Sequence, residues 1–437
     1  MDIDIALDTM MGADFAKVVQ EVYTTKFEGV SKGFGVIKAN PDKSKHLETA
    51  TINLENLWID FVNLRKEEYA SDSRIPVMSF GTPKEDADRR DLTINALFFN
   101  INEGKVEDFT GKGIEDLKNG FIRTPLDPLQ TFMDDPLRIL RVFRFASRYG
   151  FTIDPLIDQA IKNKEVLDLL MHKVSRERVG KEIEPALEHK NALLFLNYIH
   201  KADLLPIVFE ISDRSIDKIT IDELIVEFNE NSKIWNRILA QSEKYSKLLL
   251  KANLENQEST RLYLVLGSLL WGFNSKKLTK SMLYCEHFIK ECLKLKNKIS
   301  EDIKLLLNGA LNFKNLVETN HSMQEKEITE QLAMFVRDLG DLYPLALLIV
   351  LSLPIPESQV VSLIDTIQSK GLIHFHEVKP LLTGNDVKNE LKLTGKDIKP
   401  QLDKAIRWQA THLSGTKDEL MDMLKKDLGL LPGDSDK

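Results

Sequence analysis

The sequence predicts an α/β head followed by an all-helical neck, body and tail. Up to residue 124, segments rich in β-branched and aromatic residues alternate with helical patterns. From Pro128 onward, apolar residues recur at spacings of three and four, and strand-like alternation nearly disappears. A chain of 437 residues is too long for one compact core, so about two to four domains are expected.

The head should contain a sheet and at least one helix that covers it. Its predicted strands are residues 34–38, 50–54, 58–64 and 106–109, and its predicted helix is 13–23. The predicted helices that follow are 129–149, 155–170, 175–187 and 261–270. Prolines interrupt the helical periodicity between these regions. We therefore expect a head at 1–124, a neck at 125–202, a body at 203–375 and a tail at 376–437.

The composition argues against a membrane-spanning protein and against a disulfide-rich one. Hydrophobic residues make up 43% of the chain and charged residues 29%, and no apolar run reaches the roughly 20 residues that span a bilayer. The two cysteines, Cys285 and Cys292, are predicted to be reduced core thiols rather than a disulfide framework. Since the net charge is -8, any contact with nucleic acid requires a local basic surface.

Carboxylates at the start of the chain form the first candidate site. If Asp2-Ile-Asp4 is part of a strand, its period of two places Asp2 and Asp4 on one face, where they could share Mg²⁺. The alternative is a strand with a solvated acidic face. Asp60 lies within a later apolar strand, where it is either a third metal ligand or a charge at the strand edge.

A second cluster combines arginines with an aspartate. The segment Arg89-Arg90-Asp91 precedes a short apolar helix start that contains Asn95. Guanidinium groups bind phosphate and carboxylates accept hydrogen bonds from sugar hydroxyls, so the cluster suits a ligand that carries both. An acidic loop before a capped helix is the alternative.

A third cluster predicts a helix with one basic face. At about 100° per residue, Arg138, Arg141, Arg144 and Arg148 fall within about a third of the helix circumference. The opposite face is apolar and consists of Ile139, Val142, Phe143 and Ala146. The basic face indicates either a functional surface or arginines that pair with neighbouring acids.

In this order and spacing, the clusters resemble the class II CCA-adding enzymes, which are tRNA nucleotidyltransferases of the DNA polymerase beta superfamily. Asp2-Ile-Asp4-Ile-Ala resembles the metal motif, Arg89-Arg90-Asp91-x-x-x-Asn95-Ala96 the ribose-selecting motif, and residues 107–113 the hinge. Asp134-Asp135-Pro136-Leu137-Arg138 resembles the base-selecting motif, usually Glu-Asp-x-x-Arg, and residues 175–179 resemble the neck-helix motif. Residues 382–398 are similar to the family's tail.

The resemblance implies template-independent addition of C, C and A to the 3′ end of tRNA from CTP and ATP, with release of pyrophosphate. It implies that Asp2 and Asp4 hold two Mg²⁺ ions, with Asp60 as a third catalytic carboxylate. The implied nucleotide-binding residues are Arg89, Arg90, Asp91, Asn95, Asp135, Arg138, Arg141 and Arg178. The candidate RNA-binding residues are Arg144, Arg148, Lys388 and Lys396, although scattered surface lysines are the alternative for the tail.

In this interpretation one side-chain pair replaces a template. Asp135 would accept a hydrogen bond from the exocyclic amine of C or A, whereas U and G present carbonyl oxygens that repel a carboxylate. Arg138 would donate to the Watson-Crick edge of the same bases. Asp91 with Arg90 would recognise the 2′-hydroxyl. The expected partner is tRNA, and neither DNA nor a membrane is expected as a partner. We expect a monomer. The expected compartment is the cytoplasm, and also the nucleus or mitochondria.

One departure from the family's pattern bears on activity. The family places a Gly-Gly-x-Val-Arg-Asp phosphate loop before the metal motif, and here Met1 directly precedes Asp2. We therefore expect an incomplete head sheet and little CCA-adding activity. The alternatives are a poly(A) polymerase of the same superfamily or a catalytically inactive tRNA-binding protein. A metal-dependent phosphohydrolase is disfavoured because His374-Phe-His376 reads as an isolated strand-like pair without a His-Asp cluster.

Overall fold

The computed structural model describes residues 3–27, 33–37, 49–68, 77–209, 237, 258–273 and 276–430. The chain divides into two compact units, Met1–Asp213 and Arg214–Lys437. The first unit contains the strands and the second is helical, so the predicted fold class is confirmed. The finer division into head, neck, body and tail stays a prediction.

A four-stranded sheet forms the head. Its strands are β1 (Ile3–Leu7), β2 (Gly33–Ile37), β3 (Thr49–Leu54) and β4 (Leu57–Asn63), in the order β1-β4-β3-β2. Strand β1 is parallel to β4, and the other pairs are antiparallel. Helix α1 (Gly12–Phe27) covers one face, where Ala16 packs with Ala50, Ile52 and Phe61. Because side chains alternate along a strand, Asp4 of β1 and Asp60 of β4 lie on the other face.

Short elements continue the first unit beyond this sheet. In chain order they are β5 (Arg65–Glu68), β6 (Val77–Phe80), α2 (Pro83–Asp88), a 3-10 turn at Thr93–Asn95, β7 (Leu97–Asn100), β8 (Lys105–Asp108), α3 (Gly113–Asn119) and β9 (Phe121–Ile122). Strands β5 and β6 form one antiparallel pair, and β7 and β8 form another. Strand β9 pairs in parallel with β10 (Thr152–Ile153), which lies far along the chain.

Seven helices complete the described part of the first unit. They are α4 (Pro128–Asp134), α5 (Arg138–Tyr149), α6 (Pro155–Ile161), α7 (Lys164–Lys173), α8 (Arg176–Glu188), α9 (Ala192–Lys201) and α10 (Leu205–Val208). The predicted single helix at 129–149 is wrong, because Asp135-Pro136 separates α4 from α5. Asp135 has φ -143° and ψ 96°, the extended conformation that a following proline favours. The predicted helix 155–170 is also two helices, and the Asn163 side chain caps the second.

The second unit packs helices around an apolar interior. Its described helices are α11 (Glu258–Leu269), α12 (Tyr284–His287), α13 (Asn297–Thr319), α14 (Glu325–Leu339), α15 (Tyr343–Leu351), α16 (Glu357–Ser369), α17 (Gly384–Glu390), α18 (Ile398–Thr411) and α19 (Lys417–Asp427). His374 and His376 lie in a 3-10 helix, Leu372–Glu377, so the strand-like interpretation is wrong. None of the described helices is both long and apolar enough to cross a membrane.

The cysteines lie in the interior of the second unit. Cys285 and Cys292 are 1% and 0% exposed, and both are reduced, as predicted. Burial raises the pKa of the Cys285 thiol to about 11, because the thiolate loses hydration there. The thiols are therefore part of the core.

Candidate functional site

Strand register brings two of the predicted catalytic carboxylates together. Asp4 of β1 lies opposite Asp60 of β4 in the parallel ladder, although they are 56 positions apart in the sequence. Residues opposite each other on neighbouring strands share a face at a strand spacing of about 4.8 Å. The Thr51 hydroxyl donates to Asp60 Oδ1 over 2.6 Å and orients that carboxylate. Asp2, the other predicted metal ligand, lies outside the described residues.

A cleft of about 800 Å³ lies within the first unit beside these strands. Its predicted site residues are Asp4, Arg89, Arg90, Asp91, Asn95, Asp135, Arg138, Arg141 and Arg178. They come from β1, from the segment after α2, from the break between α4 and α5, and from α5 and α8, so the tertiary fold gathers motifs that are far apart in sequence. The lining also includes Asp86 and Glu182, which sequence reasoning had not assigned to the site.

Asp86 anchors both arginines of the second cluster. Its Oδ1 accepts hydrogen bonds from Arg89 Nη2 at 2.6 Å and Arg89 Nε at 3.0 Å. Its Oδ2 accepts from Arg90 Nη2 at 2.9 Å and Arg90 Nε at 3.1 Å. Burial of the carboxyl raises its pKa, but the charges of the two guanidinium groups outweigh burial and the pKa is lowered. Arg89 and Arg90 follow Asp86 by three and four residues, the spacings at which side chains meet on a helix, so the sequence contained a signal for this pairing.

Asp91 accepts hydrogen bonds from three surrounding groups. Its side chain is 8% exposed. Oδ1 accepts from the Leu92 amide at 2.9 Å and from Asn95 Nδ2 at 3.3 Å. Oδ2 accepts from Arg141 Nε at 2.7 Å. Arg90, which the sequence paired with Asp91 in ribose recognition, instead directs its guanidinium to Asp86 and to the Asn95 carbonyl.

Glu182 binds two arginines of the basic helix face. Its Oε1 lies 3.3 Å from Arg141 Nη1, and its Oε2 lies 2.6 Å from Arg144 Nε. Burial lowers the pKa of the Arg141 guanidinium, but the carboxylates of Asp91 and Glu182 outweigh burial and raise it. Glu182 lies three residues beyond the neck-helix motif in the sequence, but only the structure shows that it is buried and which arginines it pairs with.

The break between α4 and α5 places the predicted base-selecting pair at the cleft. Asp135 Oδ1 accepts from the Leu137 amide at 3.3 Å, and Oδ2 accepts from Arg178 Nη2 at 2.6 Å. Arg138 Nη2 donates to the Arg89 carbonyl at 2.7 Å, which connects α5 to the second cluster. Backbone and charged groups thus orient both side chains before any ligand is present.

The basic face of α5 serves more than one purpose. Arg138 and Arg141 line the cleft. Arg144 is 13% exposed and paired with Glu182, as the alternative of neighbouring acids foresaw, whereas Arg148 is exposed at the last turn. The predicted apolar face is confirmed, since Ile139, Val142, Phe143 and Ala146 are at most 2% exposed. Lys388 and Lys396 are exposed in the second unit, and RNA binding by these side chains stays a prediction.

The arrangement suits a ligand that carries phosphates, hydroxyls and a polar ring. Paired carboxylates provide oxygen ligands of the kind that Mg²⁺ prefers. In the described part of the chain, no three His, Cys, Asp or Glu side chains are grouped to hold a metal ion. Asp4 lines the cleft and Asp60 lies opposite it in the β1–β4 ladder, so the pair could offer two oxygen ligands to a metal ion beside the arginines of the cleft.

Comparison with known proteins gives consistent matches. Residues 1–123 match the family model described as the Poly A polymerase head domain. The chain is 34% identical to the mitochondrial CCA tRNA nucleotidyltransferase of Saccharomyces cerevisiae, across 97% of this chain and 84% of that protein. It is 33% identical to tRNA nucleotidyltransferase cca2 of Schizosaccharomyces pombe, across 97% and 88%. The Thermotoga maritima CCA-adding enzyme complexed with tRNA shares the fold, with a TM-score of 0.59, 22% identity and coverage of 98% and 87%.

Proposed function

The chain belongs to the CCA tRNA nucleotidyltransferase family, and from this premise we propose that it adds C, C and A to the 3′ end of tRNA, using CTP and ATP and releasing pyrophosphate. The observation that carries the proposal is the cleft in which Asp4, the register partner of Asp60, lies with arginines and aspartates from three other segments. The yeast relatives are named for this activity, and the chain spans most of their length.

Asp4 and Asp60, together with Asp2, are the proposed ligands of catalytic Mg²⁺. The fit rests on the donor set, because two carboxylates in register on adjacent strands offer only hard oxygen ligands. When bound, a Mg²⁺ pair would activate the RNA 3′-hydroxyl and bind the triphosphate. The Thr51 hydroxyl holds Asp60 in place for that role.

Asp135 and Arg138 are the proposed selectors of the base. An ionised carboxylate only accepts hydrogen bonds, so Asp135 would favour the exocyclic amines of C and A and repel the carbonyls of U and G. Arg178 and the Leu137 amide hold Asp135 in one orientation, and the Arg89 carbonyl positions Arg138. UTP or GTP would leave polar groups of the site without a hydrogen-bond partner, and this cost would make the rejection of both nucleotides strong.

Asp91 is the proposed acceptor for the ribose 2′-hydroxyl, and Arg89 and Arg90 are proposed to face the phosphates. Asn95 and Arg141 orient Asp91 through the hydrogen bonds described above. A ribonucleotide would then gain a contact that a deoxynucleotide lacks. Arg144, Arg148, Lys388 and Lys396 are proposed to contact RNA phosphates, which predicts binding that weakens as salt rises.

The deciding experiment supplies the protein with tRNA that lacks CCA, and with each nucleoside triphosphate singly and together. The departure before the metal motif predicted little activity, but the chain matches nucleotidyltransferases across most of their length, and we therefore expect addition of two C residues with CTP, completion with ATP, and no addition with UTP or GTP. Asp4→Asn should abolish addition, whereas Asp88→Asn, at a partly exposed residue of α2 that pairs with Lys84, should not. Growth of poly(A) without CTP would favour the poly(A) polymerase alternative. Binding of tRNA without turnover, unchanged by Asp4→Asn, would favour the inactive one.

The cellular compartment is a separate proposal. Because the Saccharomyces cerevisiae and Candida glabrata relatives are named as mitochondrial, we infer a mitochondrial pool for this protein in addition to the cytoplasmic and nuclear pools. Microscopy of the tagged protein with markers for the three compartments tests this. A signal confined to one compartment would contradict the inference.

A further inference from the structure

Glu182 is a buried carboxylate that lines the cleft without being one of the proposed substrate contacts. It lies on α8 with 7% of its surface exposed. Each of its oxygens serves a different arginine of α5, Arg141 through Oε1 and Arg144 through Oε2. The Phe145 ring packs against both guanidinium groups, with Cζ atoms 5.6 and 4.3 Å from its centroid. The arginines are therefore held from two sides.

Arg141 is shared between two carboxylates. Its Nε donates to Asp91 at 2.7 Å and its Nη1 to Glu182 at 3.3 Å. With Arg144 included, two cations balance two anions in this network. A buried charge without a counter-charge is costly. If the Glu182 charge were removed, Asp91 would be the one carboxylate of this network left to pair with Arg141.

The sharing of Arg141 between two carboxylates determines how many acceptor positions on Asp91 are already occupied. A carboxylate offers about four acceptor positions. The Leu92 amide and Asn95 occupy Oδ1, and Arg141 takes one position on Oδ2. Asn95 Nδ2 is 3.5 Å from Oδ2, at the limit of hydrogen bonding. Among the described residues, only this long contact shares Oδ2 with Arg141, so one strong acceptor position on Oδ2 is open to a ligand hydroxyl.

We propose that Glu182 is a positioning residue for ribose recognition: by holding Arg141 through Nη1, it limits the contact of Arg141 with Asp91 and keeps an Asp91 oxygen open to the 2′-hydroxyl. This rests on the proposed role of Asp91 in nucleotide binding. Without the Glu182 charge, Arg141 turns toward Asp91 and donates to it from two nitrogens. The acceptor position is then filled, and the 2′-hydroxyl loses its partner.

The test compares ATP with 2′-deoxy-ATP by equilibrium binding to the full chain, with kcat/KM on tRNA ending in CC as a second readout. A hydrogen bond to a charged group corresponds to about tenfold or more in affinity. We expect Glu182→Gln to weaken ATP by about tenfold and to leave 2′-deoxy-ATP nearly unchanged. Glu184→Gln, on the same helix and outside the network, is the matched control and should keep the wild-type ratio.

The outcomes separate this inference from the proposed function. If the wild-type protein bound neither nucleotide and added none, the proposed function would fail. If wild type prefers ATP and Glu182→Gln weakens both nucleotides equally, or neither, the positioning role is overturned. A purely structural role would lower the melting temperature without changing the ratio. Glu182→Asp keeps the charge and should fold, and the inference requires a smaller loss of the same preference in it.

Discussion

Replacement of Asp86 by asparagine should destabilise the first unit and weaken nucleotide binding together. The carboxylate is 2% exposed and accepts two hydrogen bonds from each of Arg89 and Arg90. It also accepts one from the Arg65 amide at 3.2 Å. Asparagine has nearly the same shape, but its amide would point two N–H groups at one of the guanidinium groups. Both arginines would lose the anion that orients them.

The magnitude follows from the burial of the pair. Breaking a buried ion pair by removing one partner costs about 3–5 kcal/mol. For a unit of about 200 residues, 1 kcal/mol shifts the melting temperature by about 2–4 °C, so Asp86→Asn should lower it by about 6–20 °C. Calorimetry and urea denaturation measure the change. The control is Asp88→Asn, which removes only an exposed pair with Lys84 and should cost at most about 1 kcal/mol.

The stability that Asp86 contributes should also depend on pH. Because the two arginines lower the pKa of Asp86 in the folded protein, its stabilising contribution is fully present above the unfolded-state pKa of about 3.9. The contribution is lost as the pH falls through the folded-state pKa. The stability difference between wild type and Asp86→Asn should therefore be constant near neutral pH and shrink below about pH 4. The reasoning would be refuted if Asp86→Asn melted at the wild-type temperature, or if the stability difference between the two proteins grew on acidification.

Three further predictions follow from the geometry. Asp60→Asn should slow CCA addition by about 10³-fold, because the proposed metal site loses a charged ligand; unchanged single-turnover rates would count against it. Gly113→Ala should cost about 1–3 kcal/mol in urea denaturation, because a Cβ atom would lie 2.6 Å from the Thr93 carbonyl oxygen, and a wild-type midpoint would contradict this. The Cys285 thiol, with its pKa raised to about 11, should resist a thiol reagent at pH 8 until urea unfolds the protein, and rapid labelling of the native protein would show that it is accessible.

Local patterns in the sequence were sufficient for much of the head and neck. Alternating apolar residues located strands β2, β3 and β4 to within one residue at most ends, because period-two alternation reflects a sheet with one buried face. The arginine spacing of α5 identified its two faces for the same kind of reason. The α4–α5 break was missed although Pro136 marks it, because the apolar periodicity continues across the proline.

The sequence by itself determined the family, the order of the motifs and the residue types that the chemistry needs, since these depend on short spacings along the chain. Only the tertiary structure decided which groups meet. The β1–β4 register places Asp4 beside Asp60, and the packing of α5 against α8 gives Arg141 to Asp91 and Glu182. These partners are separated by 41 to 56 residues. No local periodicity encodes such pairings, because they depend on how whole elements pack and on which buried charges can balance each other.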